Sequence, residues 1–284
     1  MRVMYDHQVF TMQHYGGISR YFVETAKRLF VAEDTDVRIV APLYVNRYLQ
    51  ELAPEMVVGR RLSRGRRGLL NIYNSFAIRY PLACYKPDIF HETYFSKYSV
   101  PLRDDQARVV TIYDMIHERF PQHFSSSDKT SKSKRLAIER ADHVICISEN
   151  TRRDLLDLTN VRSEKVSVVH LGFDVHESNG TAAAPLFDKP YLLYVGRREG
   201  HKNFQRLLEG YAGSNLLHED FRLVCFGGGD FSQSEKQQFA KLNLREDKVA
   251  WMGGSDVVLM NLYAHAAAFV YPSLYEGFGI PPLE

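Results

Sequence analysis

Apolar runs rich in β-forming residues alternate with amphipathic helical patterns along the first half of the chain. The apolar spacing predicts helices over Ser19–Phe30 and Glu149–Leu158. The predicted strands are Arg2–Tyr5, Val37–Ala41, Ile89–His91, Arg108–Ile112, His143–Ile147 and Val166–His170. Strands that are separated by helices predict a parallel sheet that is covered by helices.

The same alternation restarts after a polar segment at residues 174–190, which we interpret as a linker. The second set comprises strands Tyr191–Val195, Arg222–Phe226, Val249–Met252 and Ala268–Tyr271 and helices Phe204–Tyr211, Ser234–Leu242 and Val257–His265. The predicted fold is therefore α/β, with Rossmann-like, doubly wound parallel sheets in domains 1–173 and 191–284. Ligands of such sheets bind outside the carboxyl ends of the strands, so we expect the site in a cleft that the two domains face.

Composition narrows the class of protein. Of the 284 residues, 45% are hydrophobic and 25% are charged, as in soluble globular proteins. No apolar run approaches the ~20 residues of a membrane span, and the first residues turn polar too soon for a signal peptide. Cys84, Cys146 and Cys225 are scattered and odd in number. They predict reduced core thiols in a cytoplasmic protein, and no metal site, because no CxxC or paired-His spacing accompanies them.

Two basic clusters stand out against a net charge of +2. The first precedes an apolar-aromatic stretch at residues 69–80, and the second lies in a Ser/Thr-rich segment. The members are Arg60, Arg61, Arg64, Arg66 and Arg67 in the first, and Lys129, Lys132, Lys134 and Arg135 in the second. Each is either a solvated face or mobile loop, or a surface for anionic lipid or a lipid-linked pyrophosphate. Nucleic acid is disfavoured because neither cluster interleaves with a binding motif.

The segment from Tyr271 to Glu284 combines a strand end, a glycine-rich turn, a helix start and two carboxylates. Gly277 and Gly279 remove side-chain bulk where a ligand would approach the backbone, and the first turn of a helix offers free N–H groups to an anion. Glu276 and Glu284 add acceptors for pairs of hydroxyl groups. A ligand with both an anion and hydroxyls, such as a sugar nucleotide, suits this combination.

Other motifs also follow strand ends. Gly16-Gly17 precedes a helix and is either a backbone cradle for phosphate or an ordinary tight turn. Arg197 and Lys202 lie between a strand and a helix that Asn203 can cap; they either converge on one diphosphate or are solvated loop charges. The glycines at 227–229 do not form GxGxxG, which disfavours a nicotinamide dehydrogenase.

Together these motifs resemble the retaining, nucleotide-sugar-dependent glycosyltransferases of family 4, which have the two-domain GT-B architecture. The matching motifs are Gly16-Gly-Ile-Ser-Arg, Val109-Val-Thr-Ile-Tyr-Asp114, Ile147-Ser-Glu-Asn-Thr-Arg152, Val168-Val-His-Leu-Gly-Phe-Asp174, Val195-Gly-Arg…His201-Lys-Asn203, Trp251-Met-Gly253 and Pro272-Ser-Leu-Tyr-Glu276-Gly-Phe-Gly…Glu284. The last is the family's E-x7-E signature. The opening Gly-Gly-Ile-Ser-Arg-Tyr and the Tyr-Asp-Met-Ile-His segment resemble bacterial mannosyl- and rhamnosyltransferases of surface-polysaccharide assembly.

The resemblance implies roles for individual residues. Arg197 and Lys202 would hold the donor diphosphate, helped by the Gly17 N–H; Glu276 would bind the hexose hydroxyls and Glu284 the ribose. Gly16, Gly277, Phe278 and Gly279 complete the implied donor site. Neither metal nor cofactor is implied, since Arg, Lys and helix N–H groups supply the charge stabilisation. A GDP-sugar is favoured over a UDP-sugar. The leaving phosphate could accept the proton of a saccharide or lipid-linked acceptor, at the inner face of the membrane.

Two departures from the family pattern matter. Tyr113-Asp114 stands where the family often has His-Asp, so Asp114 and His117 become the catalytic candidates beside Glu276, with His91, Glu92, Tyr113 and Ser148 on the acceptor side. The chain also stops at the second glutamate of E-x7-E, and only four strands are readable in a domain that usually has about six. We therefore expect an incomplete C-terminal domain that binds donor weakly. Alternatives are a GT-B epimerase or phosphorylase, and a non-catalytic relative that serves as a binding subunit.

Overall fold

The computed structural model describes residues 1–63, 67–172, 184–198, 200–245 and 247–283. The chain divides into two compact units, Met1–Leu171 and Gly172–Glu284. The predicted linker at 174–190 falls largely on residues 173–183, which lie outside the described residues, as do Arg64, Arg66 and Glu284. None of the described helices is long and apolar enough to cross a bilayer.

Unit 1 contains a parallel sheet of seven strands within its described residues, in the order β3-β2-β1-β4-β5-β6-β7. The strands are β1 Arg2–Tyr5, β2 Asp36–Tyr44, β3 Val57–Arg61, β4 Ile89–Glu92, β5 Ala107–Ile112, β6 His143–Cys146 and β7 Val166–Val168. Neighbouring residues of β1 point to opposite faces: Met4 packs with Ile78 and Leu82, whereas the Tyr5 ring contacts Phe22. Helices therefore cover both faces, as a doubly wound sheet requires.

The helices of unit 1 connect these strands. They are α1 Gln8–Met12, α2 Gly17–Phe30, α3 Arg67–Ala77, α4 Arg79–Tyr85, α5 Ile116–Arg119, α6 Thr130–Arg140 and α7 Glu149–Leu158. α7 begins where the sequence predicts, because the Ser148 hydroxyl accepts a hydrogen bond from the Thr151 N–H at 3.0 Å and so caps the first turn. The predicted helices at Ser19–Phe30 and Glu149–Leu158 are confirmed, the first with an earlier start at Gly17.

Unit 2 carries a smaller parallel sheet, in the order β10-β9-β8-β11 over its described part. The strands are β8 Tyr191–Val195, β9 Arg222–Phe226, β10 Val249–Met252 and β11 Ala268–Phe269, and the helices are α8 Phe204–Ala212, α9 Asn215–Asp220, α10 Gln233–Lys241 and α11 Asp256–His265. On β8, Leu192 and Tyr194 pack in the cluster that contains α8, whereas Tyr191 and Leu193 pack with Leu262 of α11. This sheet is also doubly wound.

Several elements were not predicted. The missed ones are strand β3 and helices α1, α3, α4, α5, α6 and α9. β3 is a short edge strand of the sheet. Gly59 in this strand has φ +154°, and a Cβ added there would overlap the carbonyl oxygen of Ala41. α6 occupies the Ser/Thr-rich basic segment that the sequence suggested as a solvated or mobile loop. That interpretation is wrong for Lys134, whose side chain is buried on the inner face of α6.

Candidate functional site

In unit 2, strands β8 and β11 are neighbours, although they lie far apart in the sequence. The chain moves from β8 through β9 to β10 on one side and returns to place β11 on the other side. This reversal of strand order is a topological switch point, where open α/β sheets bind ligands outside the carboxyl ends of their strands. The loop after β8 and the segment after β11 both leave the sheet here, and they carry Arg197, Lys202 and Glu276.

The loop after β8 is tied to the segment after β11 by two hydrogen bonds. The Leu274 N–H donates to the carbonyl of His201 at 2.8 Å, and the side-chain amide of Asn203 donates to the carbonyl of Pro272 at 3.0 Å. Asn203 adopts a left-handed conformation with φ 57°, one that Asn tolerates better than most residues. These bonds join two segments about 70 residues apart in the sequence and fix their side chains relative to each other.

Lys202 and Glu276 meet at this point. The ammonium Nζ donates to Glu276 Oε1 at 2.6 Å, and both side chains keep about a fifth of their surface exposed (23% and 19%). The pair is therefore reached by solvent and by ligands. A cation and a carboxylate side by side can bind an anion and a group of hydroxyls at once. The sequence predicted that these two residues serve one site, and the structure brings them into contact.

The remaining predicted donor residues of unit 2 lie on the same two segments as this pair. Arg197 is exposed, and the Tyr194 hydroxyl donates to its backbone carbonyl. Gly196 and Gly279 have φ values of +130° and +89°, which favour glycine. Gly277 is buried and Phe278 half-buried. Glu284 lies outside the described residues, so its predicted contact with ribose stays a prediction.

Arg198 is a structural residue to which the sequence motifs assigned no role, in contrast to Arg197. Its buried guanidinium donates to Glu235 at 2.6 Å, to the carbonyl of Gly227 at 2.9 Å and to that of Gly229 at 2.8 Å. The glycines at 227–229 all have positive φ, and a Cβ on Gly228 would lie 2.9 Å from the carbonyl oxygen of Gly196. Arg198 thus holds the glycine loop after β9 against the loop after β8, while Arg197 faces solvent.

The corresponding switch point of unit 1 lies between β1 and β4 and is filled by a buried polar network. Asp6 Oδ1 accepts from the Thr93 N–H at 2.9 Å and from the Thr93 hydroxyl at 2.6 Å, and Oδ2 accepts from the Gln8 amide at 2.6 Å. Burial raises the pKa of Asp6, and these hydrogen bonds oppose the rise. The network joins the ends of two strands. Sequence reasoning missed it, because a lone Asp after a strand carries no spacing signal.

Gly16 and Gly17 begin α2. Gly16 is its N-terminal cap, in an extended conformation with φ 171°. A Cβ added at Gly17 would meet no atom within 4 Å, so open space adjoins the backbone there. α2 runs for 14 residues, and the first turn of a helix offers backbone N–H groups to an anion. In this turn the Ser19 N–H donates instead to the side-chain oxygen of Gln13, at 3.2 Å. This geometry is compatible with the predicted contact to the donor.

Asp114 and His117 belong to a charged cluster after β5, around the buried Lys134. The ammonium donates to the carbonyl of Asp114 and to Glu118 Oε2, both at 2.8 Å, and lies 3.7 Å from Asp114 Oδ1. His117 stacks on Phe124 and its Nε2 lies 3.7 Å from Asp128. Burial and, secondly, the charge of Lys134 lower the pKa of His117, so a neutral imidazole is favoured. The carboxylate of Asp114 remains about one third exposed (32%).

The structure does not support the acceptor-side roles predicted for His91 and Glu92. His91 lies in an aromatic cluster with Tyr5 and Phe22, and its Nε2 is 2.9 Å from the Thr111 hydroxyl; burial lowers its pKa to about 3. Glu92 is buried between two arginines. Neither side chain reaches the surface that a substrate could contact, so both assignments are corrected to structural ones.

Of the two other acceptor-side candidates, Tyr113 is buried and Ser148 is engaged in a helix cap. Tyr113 is buried, and its hydroxyl has no hydrogen-bond partner among the residues the structure describes; burial raises its pKa well above the usual value. Ser148 caps α7.

The core-thiol prediction holds for Cys146 and Cys225 but is wrong for Cys84, which is exposed. Over the described residues, no group of three or more His, Cys, Asp or Glu side chains could hold a metal ion.

Comparisons with known proteins match both units. The sequence model described as Glycosyltransferase Family 4 matches residues 15–177, and that described as Glycosyl transferases group 1 matches residues 182–284. The O-antigen chain mannosyltransferase RfbU of Salmonella typhimurium (strain LT2) is 28% identical over 66% of this chain and 51% of its own length. The O-antigen chain mannosyltransferase B of Escherichia coli is 28% identical over 94% of this chain and 75% of its own length. The chain thus spans about half of the first relative.

Solved structures agree on the fold. WaaG, a glycosyltransferase involved in lipopolysaccharide biosynthesis, superposes with a TM-score of 0.66 at 17% identity, over 100% of this chain and 78% of that one. The lipopolysaccharide outer core galactosyltransferase WaaB gives 0.63 at 16% identity, over 100% and 77%. The two doubly wound sheets therefore confirm the predicted GT-B fold. Since the first family model covers more than half of the residues, the chain belongs to Glycosyltransferase Family 4.

Proposed function

We propose that this chain transfers a hexose, mannose or rhamnose, from a GDP-sugar to a lipid-linked or saccharide acceptor in the synthesis of a surface polysaccharide. The observation that carries the proposal is the Lys202–Glu276 pair, 2.6 Å apart, beside the exposed Arg197 at the switch point of unit 2. The similarity to two O-antigen chain mannosyltransferases supports mannose as the transferred sugar.

The paired charges suit the two ends of a sugar diphosphate. Arg197 offers a planar fork and Lys202 a compact charge for the diphosphate. When the ammonium of Lys202 turns to the diphosphate, Glu276 exchanges its bond to lysine for bonds from the hexose hydroxyls. Charge builds up on the diphosphate as it leaves, and fixed cations at such a position contribute about 10²–10³ in rate.

The proposed transfer is retaining and needs no metal ion. The bond from the sugar C1 to the diphosphate breaks, and a bond from C1 to the acceptor oxygen forms on the same face. The leaving diphosphate takes the acceptor's proton, so no protein nucleophile is required. Asp114 and His117 are the proposed catalytic residues of unit 1. Gly16, Gly17, Gly277, Phe278, Gly279 and Glu284 are the further proposed donor contacts.

The first test is a calorimetric titration with GDP, UDP and ADP, without metal and then with magnesium. We expect metal-independent binding of GDP, abolished by Arg197→Ala and kept by Arg206→Ala, which removes an exposed arginine of α8. Binding of UDP alone would change the donor class, and no binding by any nucleotide would contradict the proposed site.

The second test incubates the chain with GDP-mannose and a saccharide or lipid-linked acceptor and analyses the products. We expect mannose on the acceptor and free GDP. Free epimerised sugar would instead favour the epimerase. Intact donor after long incubation, together with a stable complex to a second transferase, would favour a binding subunit.

We also propose a cytoplasmic location with peripheral contact to the inner face of the membrane. The sequence supports it through the first basic cluster. Arg60 is exposed and Arg61 half-buried on β3, Arg67 begins α3, and Arg64 and Arg66 lie outside the described residues.

A further inference from the structure

The outer face of α3 is apolar and uncovered in unit 1. Residues spaced by three or four positions lie on one face of a helix. Five large apolar side chains follow this spacing along α3 and the start of α4, and each is between 46% and 78% exposed. They are Leu69, Ile72, Tyr73, Phe76 and Tyr80. We call them the α3 outer face.

The opposite face of the same helix is anchored to the sheet. The Asn74 side chain is fully buried and makes two bonds to β2: its oxygen accepts from the Leu43 N–H at 2.9 Å, and its amide donates to the Leu43 carbonyl at 2.8 Å. Leu70 and Ile78 are buried on this side. The helix is therefore held in one rotation about its axis, and the α3 outer face cannot turn inward to bury its side chains.

The surroundings of this face carry only positive charge in the sequence. From Met56 to Pro87 the chain contains no Asp or Glu, and it contains six arginines and one lysine, although the whole chain has a net charge of only +2. Arg60 and Arg79 are exposed in this region, and the Arg79 guanidinium lies 5.4 Å from the centre of the Phe76 ring. Arg79 thus lies beside the apolar face, and the chain segments that flank this face carry only positive charge.

We propose that the α3 outer face inserts into the headgroup region of an anionic bilayer. Aliphatic and Phe side chains enter the acyl boundary, Tyr side chains lie at the interface with their hydroxyls in the headgroup layer, and arginines contact lipid phosphates. A protein partner would need an acidic rim around an apolar groove, whereas an anionic membrane offers both features over its whole surface. This inference rests on the peripheral membrane contact proposed above and assigns it to a surface. The surface involves none of the proposed donor residues, so its failure and the failure of the proposed reaction are distinguishable.

Vesicle flotation tests the proposal with the full chain. We expect the chain to float with vesicles of phosphatidylcholine and 30% phosphatidylglycerol, and at least tenfold less with pure phosphatidylcholine. Ile72→Asn with Phe76→Asn, and separately Arg60→Glu with Arg79→Glu, should each lower the partition coefficient at least tenfold. Added salt should lower the partition coefficient of the unmodified chain by a similar factor, because it screens the attraction between the arginines and the anionic lipid.

Two control variants make the same changes on unit 2. Leu216→Asn with Val257→Asn replaces two exposed apolar residues, and Arg206→Glu with Arg245→Glu reverses two exposed charges. We expect each control to bind vesicles within twofold of the unmodified chain, and all variants to keep its melting temperature, since only exposed side chains change. Equal loss in the controls would overturn the assignment to α3.

Other results would also overturn it. Equal binding to neutral and anionic vesicles would remove the role of the arginines. A concentration-dependent dimer in sedimentation velocity that Ile72→Asn with Phe76→Asn dissociates would assign the α3 outer face to a second copy of this chain. Absence of flotation alongside intact binding of GDP would refute the membrane contact and leave the proposed reaction standing.

Discussion

Replacing Glu92 by glutamine should destabilise unit 1 and should leave acceptor recognition unchanged. Glu92 is 2% exposed, and its two carboxylate oxygens accept from Arg108 at 2.6 Å and from Arg140 at 2.9 and 2.5 Å. The two guanidiniums also donate to the carbonyls of Val100 and Ser96. The two ion pairs thus share one carboxylate. It fixes the segment that follows β4.

The size of the effect follows from burial. Glutamine keeps the shape of the side chain but removes its charge, and its amide hydrogens would face guanidinium donors. Breaking a buried ion pair by removing one partner costs about 3–5 kcal/mol. With a urea m-value of about 2 kcal/mol/M for a unit of this size, the unfolding midpoint of unit 1 should fall by about 1.5–2.5 M.

The assay is urea unfolding followed by circular dichroism, together with acceptor kinetics at low denaturant. Glu139→Gln is the matched control, because it removes the same charge from an exposed position on α6 of the same unit and should shift the midpoint by less than about 0.5 M. A Glu92→Gln chain as stable as this control, with a raised KM for the acceptor, would refute the structural role and restore the acceptor-side assignment.

Three further predictions compare a buried residue with an exposed one of the same type. Arg197→Ala should lower kcat/KM about 10²–10³-fold at unchanged melting temperature. Arg198→Ala should instead lower the melting temperature of unit 2, because Glu235 and three loop carbonyls lose their donor. The reverse pattern would exchange the two roles. Buried His91 has a folded pKa of about 3, below its ordinary value of 6.5, so the folded chain binds fewer protons between these values and stability falls as pH falls through this window. In urea titrations, His91→Gln should reduce the decrease in the free energy of unfolding between pH 7 and pH 5 by about 2 kcal/mol. His123→Gln, at an exposed position, should leave this decrease unchanged. A thiol reagent at pH 8 should modify only Cys84 in the folded chain and all three cysteines after unfolding, since burial raises the pKa of Cys146 and Cys225 to about 12; rapid reaction of two thiols in the folded chain would contradict the buried positions.

The strands could be predicted because parallel strands covered on both faces are continuous apolar runs. Tyr191–Val195, Arg222–Phe226 and Val249–Met252 have the predicted bounds. The edge strand β3 lacks this signal, since only one neighbour pairs with it and two of its five residues are arginines. Its pairing with β2 depends on Gly59, which permits a backbone approach that no side chain would allow.

Helices α3 and α6 escaped prediction for opposite reasons. α3 has its polar residues Asn71, Asn74 and Ser75 on the side that meets the rest of unit 1 and its large apolar residues on the exposed side, the reverse of the usual pattern of a surface helix. α6 begins Thr-Ser-Lys-Ser-Lys-Arg, which contains no apolar residue. Its position depends on Lys134, whose burial is possible only because Glu118 and the carbonyl of Asp114 satisfy the ammonium. Those partners come from another part of the chain, which local patterns cannot report.

The donor-side residues could be predicted only through the family motifs. Lys202 and Glu276 are 74 positions apart, and no spacing rule links them; their contact arises because β8 and β11 are neighbours in the sheet. Composition likewise cannot separate Arg197 from Arg198, which differ by one position. The structure separates them by burial, because one guanidinium is enclosed by loop carbonyls and the other faces solvent.

The two switch points explain why the charged chemistry of the predicted donor site falls in unit 2. In unit 1 the ends of β1 and β4 are joined by Asp6, whose bonds to Thr93 and Gln8 are satisfied internally and closed to solvent. A ligand there would have to break buried hydrogen bonds without replacing them, which is costly. In unit 2 the ends of β8 and β11 carry a solvent-reachable ion pair and an exposed arginine. In the proposed reaction a sugar diphosphate replaces that ion pair with its own bonds to lysine and glutamate, which is why we propose the donor site at this switch point.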